Sequence, residues 1–186
     1  MADNDDIPFN RDFKPDIAVK GGDMIEGNGW RLEAVATPGH TANHLAFAWP
    51  DRKINFVGDH VMGWSTSIVA PPDGSMIDYM ASLDRLAQRD EDLYFSGHGP
   101  EIPDGPRYVR FLERHRRARE SSILHRLSKG DADIPTMVRA IYIGIDPRLT
   151  NAAGYSVLAH LEDLVARGIV TTDGDPVIAG TYRMAS

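Results

Sequence analysis

The sequence predicts a mixed α/β (α+β) fold, with a small sheet in the first half of its 186 residues and helices in the second half. Short runs of β-branched, apolar and aromatic residues bounded by Pro, Gly or Asp are typical of strands, and they occur in the first half. Stretches with helical periodicity occupy the second half. The charge balance changes at the same place: residues 1–106 carry 8 Lys/Arg against 18 Asp/Glu, whereas residues 107–186 carry 12 against 9.

Four strands and one helix are predicted in the first half. Most of residues 1–31 is expected to be loop, because paired glycines mark turns there. Ser75 is a suitable N-cap for an amphipathic helix over residues 76–88, which would cover the sheet. The apolar stripe of this helix is expected to be Ile77, Met80, Leu83, Leu86 and Ala87. The four strands are expected over residues 32–37, 44–49, 53–58 and 92–96.

Three helices and a hairpin are predicted in the second half, an order that indicates a winged helix-turn-helix. The turn-rich segment 103–106 divides the chain into expected domains of residues 1–105 and 106–186. The helices are expected over residues 107–129, 134–143 and 152–167, and the hairpin strands over 168–172 and 176–178. The inward positions of the first and third helices are expected to be Tyr108, Phe111, Leu112, Ile123, Leu124, Leu127, Tyr155, Leu158, Leu161 and Val165. Expected helix-surface histidines are His115, His125 and His160.

Composition excludes several classes of protein. The chain has no cysteine, so a disulfide framework and a thiolate metal site are ruled out, and any metal must be held by His, Asp or Glu. No window approaches the roughly 18 apolar residues of a membrane span. These observations predict a cytoplasmic protein with no membrane partner.

Three strand ends carry side chains that bind metals. Each predicted strand runs into a Gly-containing turn with a histidine or aspartate, and turns at strand ends are where rigid scaffolds present functional groups. His40, Asp59 and His98 are therefore expected to converge at one rim of the sheet. Imidazole with a carboxylate suits zinc, and also manganese or iron. A metal ion there would supply hydroxide as a nucleophile at neutral pH.

The chain resembles the metallo-β-lactamase superfamily, and more closely the β-lactamase-like protein 2 family, whose members join that hydrolase fold to a C-terminal winged helix. The resemblance runs from about Phe13 to Tyr182. It implies that the first domain is half of an αββα sandwich. The segments that carry it are Ala36-Thr37-Pro38-Gly39-His40-Thr41-Ala42-Asn43-His44, Gly58-Asp59-His60-Val61-Met62-Gly63-Trp64-Ser65-Thr66, Ala70-Pro71-Pro72-Asp73-Gly74-Ser75-Met76 and Ser96-Gly97-His98-Gly99-Pro100.

The resemblance implies a role for each candidate ligand in a site with two zinc ions. His40 would be the third ligand of the first metal, Asp59 the catalytic carboxylate that bridges both metals, and His98 the last ligand of the second metal. The implied reaction is hydrolysis of a small-molecule ester, thioester or lactam, or of a phosphodiester in RNA. Trp64 could line the substrate channel or serve as a packing anchor.

The chain departs from the superfamily at the main ligand motif. The string His-x-His-x-Asp-His occurs nowhere among its residues, so four expected ligands are absent. Neither metal then reaches the three protein ligands usual for catalytic zinc, and the chain alone is expected to be inactive, with metal absent or weakly bound. A rearranged mononuclear site that uses His44 or His60 is the alternative, with His60 otherwise supporting the rim of the site.

A sheet without the other half of its sandwich would expose a large apolar face. This face is expected to be covered by a second copy in a dimer or larger homo-oligomer, by a separate chain, or by an N-terminal half of a longer gene product. As the explanation for the absent His-x-His-x-Asp-His half, truncation of a longer protein is preferred over loss during evolution.

Two functions other than hydrolysis remain open from the sequence. One is a nucleic-acid-binding module built on the winged helix, because a run of arginines could contact phosphate. The other is a dimeric interaction protein in which the ligand trio is vestigial. The arginines of the run are Arg107, Arg110, Arg114, Arg116, Arg117 and Arg119, and the interleaved glutamates make a solvated connector the simpler interpretation.

Overall fold

The computed structural model describes residues 14–185, which form a six-stranded sheet, a smaller three-stranded sheet and four α-helices. The expected loop at residues 1–13 lies outside the described residues. The first part contains β1 (Met24–Gly27), β2 (Trp30–Ala36), β3 (Leu45–Trp49), β4 (Ile54–Gly58), α1 (Met76–Ala87), β5 (Leu93–Ser96) and β6 (Ile102–Pro103). The second part contains α2 (Gly105–Leu127), β7 (Ala132–Asp133), α3 (Ile134–Ile141), α4 (Thr150–Ala166), β8 (Val170–Thr172) and β9 (Thr181–Met184).

The six strands lie in the order of the sequence, from β1 to β6. Neighbouring strands are antiparallel except β4 and β5, which are parallel because α1 forms the crossover between them. Ser75 caps α1 as expected, since its side chain accepts a hydrogen bond from the Asp78 N–H. The parallel pair places the carboxyl ends of β4 and β5 side by side.

One face of the large sheet is covered by helices. Its strands point Val57 and Tyr94 into a core shared with α1. The same core also contains Val109 and Leu112 from α2 and Ala159 from α4. The helical part therefore packs directly against the layer that covers the sheet.

The other face of the large sheet is apolar and partly open. Cross-strand pairing aligns Phe47 with Phe56 and Phe56 with Phe95, and the last two rings stack with centroids 5.8 Å apart. Phe56 is 39% exposed, and a shallow cavity of about 260 Å³ lies beside it. We call this surface the outer face; its side chains are Ile25, Leu32, Leu45, Phe47, Trp49, Ile54, Phe56, Leu93 and Phe95.

The helical part has its own core, formed by α3, α4, the end of α2 and the small sheet. Helix α2 ends before Gly130, which has the positive φ expected of a residue after a helix end. The small sheet has the order β7-β9-β8, and its centre is the fully buried Tyr182. Among residues 14–185, no helix is both long and apolar enough to cross a membrane.

Four strands differ from the expectation. The second hairpin strand was expected over residues 176–178, and this is wrong, because β9 lies at Thr181–Met184. Residues before β9 instead form a turn in which Gly180 N–H and the Tyr182 hydroxyl both donate to Val177 O. Strand β1, within a stretch expected to be loop, forms a hairpin with β2 through a two-residue loop. Strands β6 and β7 were likewise not expected.

Several expected helix positions are also wrong. Ile77, Phe111 and Tyr155 were expected to be inward and are 52%, 53% and 43% exposed. His160 was expected on a helix surface and is buried, as is Arg116. Helices α1, α2 and α4 contact one another, and polar side chains that lie at these contacts are buried.

The N-terminus of α3 offers a test of local stability. The Asp133 carboxylate accepts a hydrogen bond of 2.8 Å from Thr136 N–H, and hydrogen bonds from Thr136 lower the pKa of Asp133. We expect Asp133→Ala to lower the free energy of unfolding by about 1 kcal/mol at pH 7. Because the folded-state pKa is lowered, this stabilisation is present above the ordinary pKa and is lost as the pH falls through the lowered value.

Urea unfolding at pH 7 and at pH 3 measures this effect. The difference between wild type and Asp133→Ala should shrink at the lower pH. The control is Asp175→Ala, which removes an exposed aspartate from the segment between β8 and β9. An equal loss in both variants at pH 7 would contradict the capping role.

Candidate metal centre

Asp59 and His98 meet where the parallel strands end. Strand β4 ends at Gly58 and β5 at Ser96, and these two residues are paired in the sheet. The Asp59 Oδ1 and His98 Nε2 atoms are 3.5 Å apart, with both side chains substantially exposed. Two ligands bound about 2.1 Å from one tetrahedral ion lie roughly 3.4 Å apart, so this pair fits a shared metal ion.

Glycine at position 97 makes this approach possible. Gly97 N–H donates to Gly58 O at 2.8 Å, which draws the two turns together. A Cβ at position 97 would overlap the Asp59 carboxylate oxygen Oδ1. Position 97 must therefore be glycine for the Asp59 side chain to lie this close to the turn that carries His98.

His40 lies in the turn after β2 and is oriented by the backbone. Its Nδ1 is 2.6 Å from Ile68 O. A carbonyl oxygen only accepts, so Nδ1 carries the proton, and the Nε2 of a neutral ring is left with a free lone pair. Histidines that bind metals commonly show this arrangement, with one nitrogen donating to a carbonyl and the other available to the ion.

His44 and His60 lie behind His40. The His44 ring is 6.4 Å from the His40 ring and 5.7 Å from the His60 ring, measured between centroids. His44 Nδ1 is hydrogen-bonded to the Thr37 hydroxyl at 2.8 Å. Burial and the nearby His40 lower the pKa of His44, so this ring is neutral at pH 7.

His60 is fully buried beneath the rim, where it packs on Tyr79 with ring centroids 4.4 Å apart. Neither of its ring nitrogens has a hydrogen-bond partner among residues 14–185. Burial, together with His44 and His40, lowers its pKa to about 3. In this position His60 lies in the core beneath the rim and does not face solvent.

Trp64 lies over the His98 turn. A Cβ at Gly99 would come within 2.6 Å of Trp64 Cδ1, so the indole rests on the glycine beside His98. Its side chain is 68% exposed. This position is consistent with both expectations for Trp64, a side chain that lines a substrate channel and one that anchors the turn by packing.

We call residues 59–67, which follow β4 and carry Asp59, the ligand loop. Three residues that hold this loop in place were not identified from the sequence. The Ser67 hydroxyl contacts both Asp59 O, at 2.5 Å, and His60 O, at 2.9 Å. The Tyr79 hydroxyl donates to His60 O, and Arg116 from α2 donates to Ser67 O. Arg116 and Tyr79 each carried a signal: Arg116 follows Leu112 by four residues on the buried side of α2, and Tyr79 follows Met76 by three on the buried side of α1.

Of the three ligands expected from the sequence, the structure brings Asp59 and His98 together. Asp59 and His98 fit one ion, and His40 presents a free nitrogen at the same rim. Within residues 14–185, however, no three His, Asp or Glu side chains come close enough together to hold a metal ion. A catalytic zinc needs three protein ligands, so the chain by itself does not fit a resident metal.

Comparisons with known proteins identify the family of the chain. The profile of the metallo-beta-lactamase superfamily matches residues 2–98, and that of the beta-lactamase associated winged helix domain matches residues 134–180. The chain is 27% identical over 179 residues to Lactamase-like protein adaB of Aspergillus niger, covering 87% of this chain and 55% of that protein. It is 29% identical over 143 residues to the Beta-lactamase-like protein 2 homolog of Drosophila melanogaster, covering 75% and 47%.

A solved structure shows the same arrangement of elements. The crystal structure of a metallo-beta-lactamase family protein from Thermus thermophilus superposes with a TM-score of 0.79 at 26% identity, covering 92% of this chain and 55% of that one. The chain thus spans about half the length of the relatives it matches. These matches confirm the expected fold class and the winged helix. The chain belongs to the metallo-beta-lactamase superfamily and carries the winged helix domain associated with it.

Proposed function

We propose that this chain contributes part of the metal centre of a metal-dependent hydrolase. Its ligands would be His40, Asp59 and His98, with Asp59 shared between two ions. The single observation that carries the proposal is the 3.5 Å separation of Asp59 Oδ1 and His98 Nε2 at the ends of paired strands. Zinc is the proposed metal, with manganese or iron as other candidates, since imidazole and carboxylate ligands suit all three. The substrate class is an ester, a thioester or a phosphodiester.

The remaining ligands would come from a second β-layer that packs on the outer face. Three features support this: the absence of the string His-x-His-x-Asp-His from the chain, its coverage of about half of each relative, and the aromatic row Phe47, Phe56 and Phe95 on the open side of the sheet. A sheet with one apolar open face is stable when a second layer covers it. The chain alone is accordingly proposed to be inactive.

The charge state of the buried histidines also supports a metal at this rim. His44 and His60 have lowered pKa values, so both rings are neutral at pH 7. Neutral imidazole adds no positive charge beside a dication. Asp59 then supplies the negative charge that a metal ion requires.

Metal titration of the chain tests which residues contact the ion. We expect Mn²⁺ added to the isotope-labelled chain to broaden the NMR signals of His98 and Asp59 first, because a paramagnetic ion broadens its nearest nuclei. Binding should be weak, since two ligands hold an ion less tightly than the three of a catalytic site. Asp59→Asn and His98→Ala should each abolish the broadening.

The matched control is His125→Ala, which removes an exposed histidine of α2. This variant should leave the broadening at His98 unchanged. If His98→Ala binds Mn²⁺ as wild type does, the proposed ligand pair is wrong.

A fusion tests the hydrolase itself. The part of the Thermus thermophilus relative that this chain does not cover can be joined to the N-terminus of this chain. We expect the fusion to bind zinc tightly with a stoichiometry of one or two ions and to hydrolyse nitrophenyl esters or phosphodiesters, whereas the chain alone binds zinc weakly and hydrolyses neither substrate. A folded fusion that binds zinc equally well after Asp59→Asn would contradict the proposal.

A further inference from the structure

A polar cleft opens between α1, α2 and α4, away from the metal ligands. Its volume is about 210 Å³, below the roughly 300 Å³ at which pockets for drug-sized ligands begin. It therefore suits a small ion. Its charged and titratable lining residues are Arg116, Arg117, Glu120, His160, Asp163 and Arg167.

Two of the lining side chains are buried without the partners that their chemistry requires. His160 is 1% exposed, and neither of its ring nitrogens has a hydrogen-bond partner among the described residues. Arg116 is 3% exposed and forms no ion pair within residues 14–185, and its Nε is unpartnered there. A buried polar group left unsatisfied costs about 1–3 kcal/mol, and more when it is charged.

The carboxylates at the cleft do not compensate Arg116. Glu120 and Asp163 both bind Arg167, at 2.8 and 3.2 Å. Arg117 is paired with Glu113 at 2.6 Å. Arg116 instead donates to the neutral oxygens of Ser67 and Ser156 and lies over the Tyr79 ring.

His160 adds a hydrogen-bond donor to this positive site. Burial lowers its pKa to about 3, and the nearby Arg116, Arg119 and Arg167 contribute to the same lowering. The ring is therefore neutral at pH 7 and has one N–H that can donate a hydrogen bond.

We propose that this cleft binds a small oxyanion such as inorganic phosphate. Arg116 would provide the fixed charge through Nε, and the neutral His160 would donate a ring N–H. Arg117, which is exposed at the mouth, would exchange its pairing with Glu113 for the anion. Guanidinium groups suit an oxyanion because their planar N–H donors match its oxygens.

The anion would also act on the ligand loop. Arg116 donates to Ser67 O, and the Ser67 hydroxyl contacts the backbone carbonyls of Asp59 and His60. An anion that fixes Arg116 therefore fixes the segment that carries Asp59. Binding stabilises the folded chain because the unfolded chain has no such cleft.

Calorimetric titration with inorganic phosphate tests this inference, in EDTA and at constant ionic strength set with chloride. We expect saturable binding by the wild-type chain and a shift of the His160 ring nitrogen signals in NMR. Arg116→Lys and His160→Leu should each weaken phosphate binding by about tenfold or more, the equivalent of one charge-assisted hydrogen bond. His125→Leu and Arg114→Lys, which change exposed residues of α2, should leave the affinity unchanged.

The outcomes separate clearly. Absence of saturable binding to the folded wild type, or equal affinity in His160→Leu, overturns the inference. If His160→Leu fails to fold, Arg116→Lys and Arg117→Gln decide the matter, and unchanged affinity in both overturns it. Since no metal is present in the titration, the result is independent of the proposed hydrolase.

Discussion

Replacing Gly39 by alanine will lower the free energy of unfolding by about 2–5 kcal/mol, because it adds backbone strain and a steric overlap at once. Gly39 has a φ of +129°, which L-residues with a side chain rarely adopt. A Cβ there would also overlap the backbone of Tyr79 in α1. Equilibrium unfolding in urea measures the loss.

A matched control separates the two causes. Gly22 has a φ of +94°, yet a Cβ at that position would meet nothing within 4 Å. Gly22→Ala should therefore cost only the conformational part, about 1–2 kcal/mol. If both variants lose the same stability, the contact with Tyr79 has no energetic consequence.

The same substitution should disturb the candidate site. Gly39 O accepts a hydrogen bond of 3.0 Å from Ser75 N–H, so the turn before His40 is fixed to the start of α1. Moving this turn would shift His40 away from Ile68 O, which orients its ring. The His40 ring signals in NMR should change in Gly39→Ala and stay unchanged in Gly22→Ala.

The fold was predictable where local chemistry decides it. Strand β3 and helix α1 lie within one residue of expectation, because alternation of apolar residues and the Ser75 cap are local signals. Strands β1 and β6 were not predictable, since four-residue and two-residue strands have too few positions for alternation to show. The position of β9 depends on Tyr182 entering the helical core, which is a tertiary contact.

The candidate site was predictable only in its outline. The parallel pairing of β4 and β5 explains why Asp59 and His98, 39 residues apart in sequence, lie within 3.5 Å. The burial of His60 and His160 was not visible, because it depends on which helix packs over each ring. The link from Arg116 to Ser67 spans 49 residues and leaves no pattern in the sequence.

Leu161→Ala will remove a fully buried side chain from the core of the helical part. The cavity and the lost apolar contact should lower the free energy of unfolding by about 2–5 kcal/mol. Ile143→Ala is the matched control, because Ile143 is 90% exposed and its truncation should change stability by less than about 0.5 kcal/mol.

The spectroscopic signals of Leu161→Ala also report whether the two parts unfold together. The three tryptophans, Trp30, Trp49 and Trp64, all lie in the first part, so fluorescence follows the large sheet and the ligand loop. Circular dichroism follows mainly the helices. Because α4 places Ala159 in the core beneath the sheet and Leu161 in the helical core, the two signals should lose their native values at the same, lowered urea concentration. A fluorescence midpoint that stays at the wild-type value would mean that the sheet keeps its structure without the helical part.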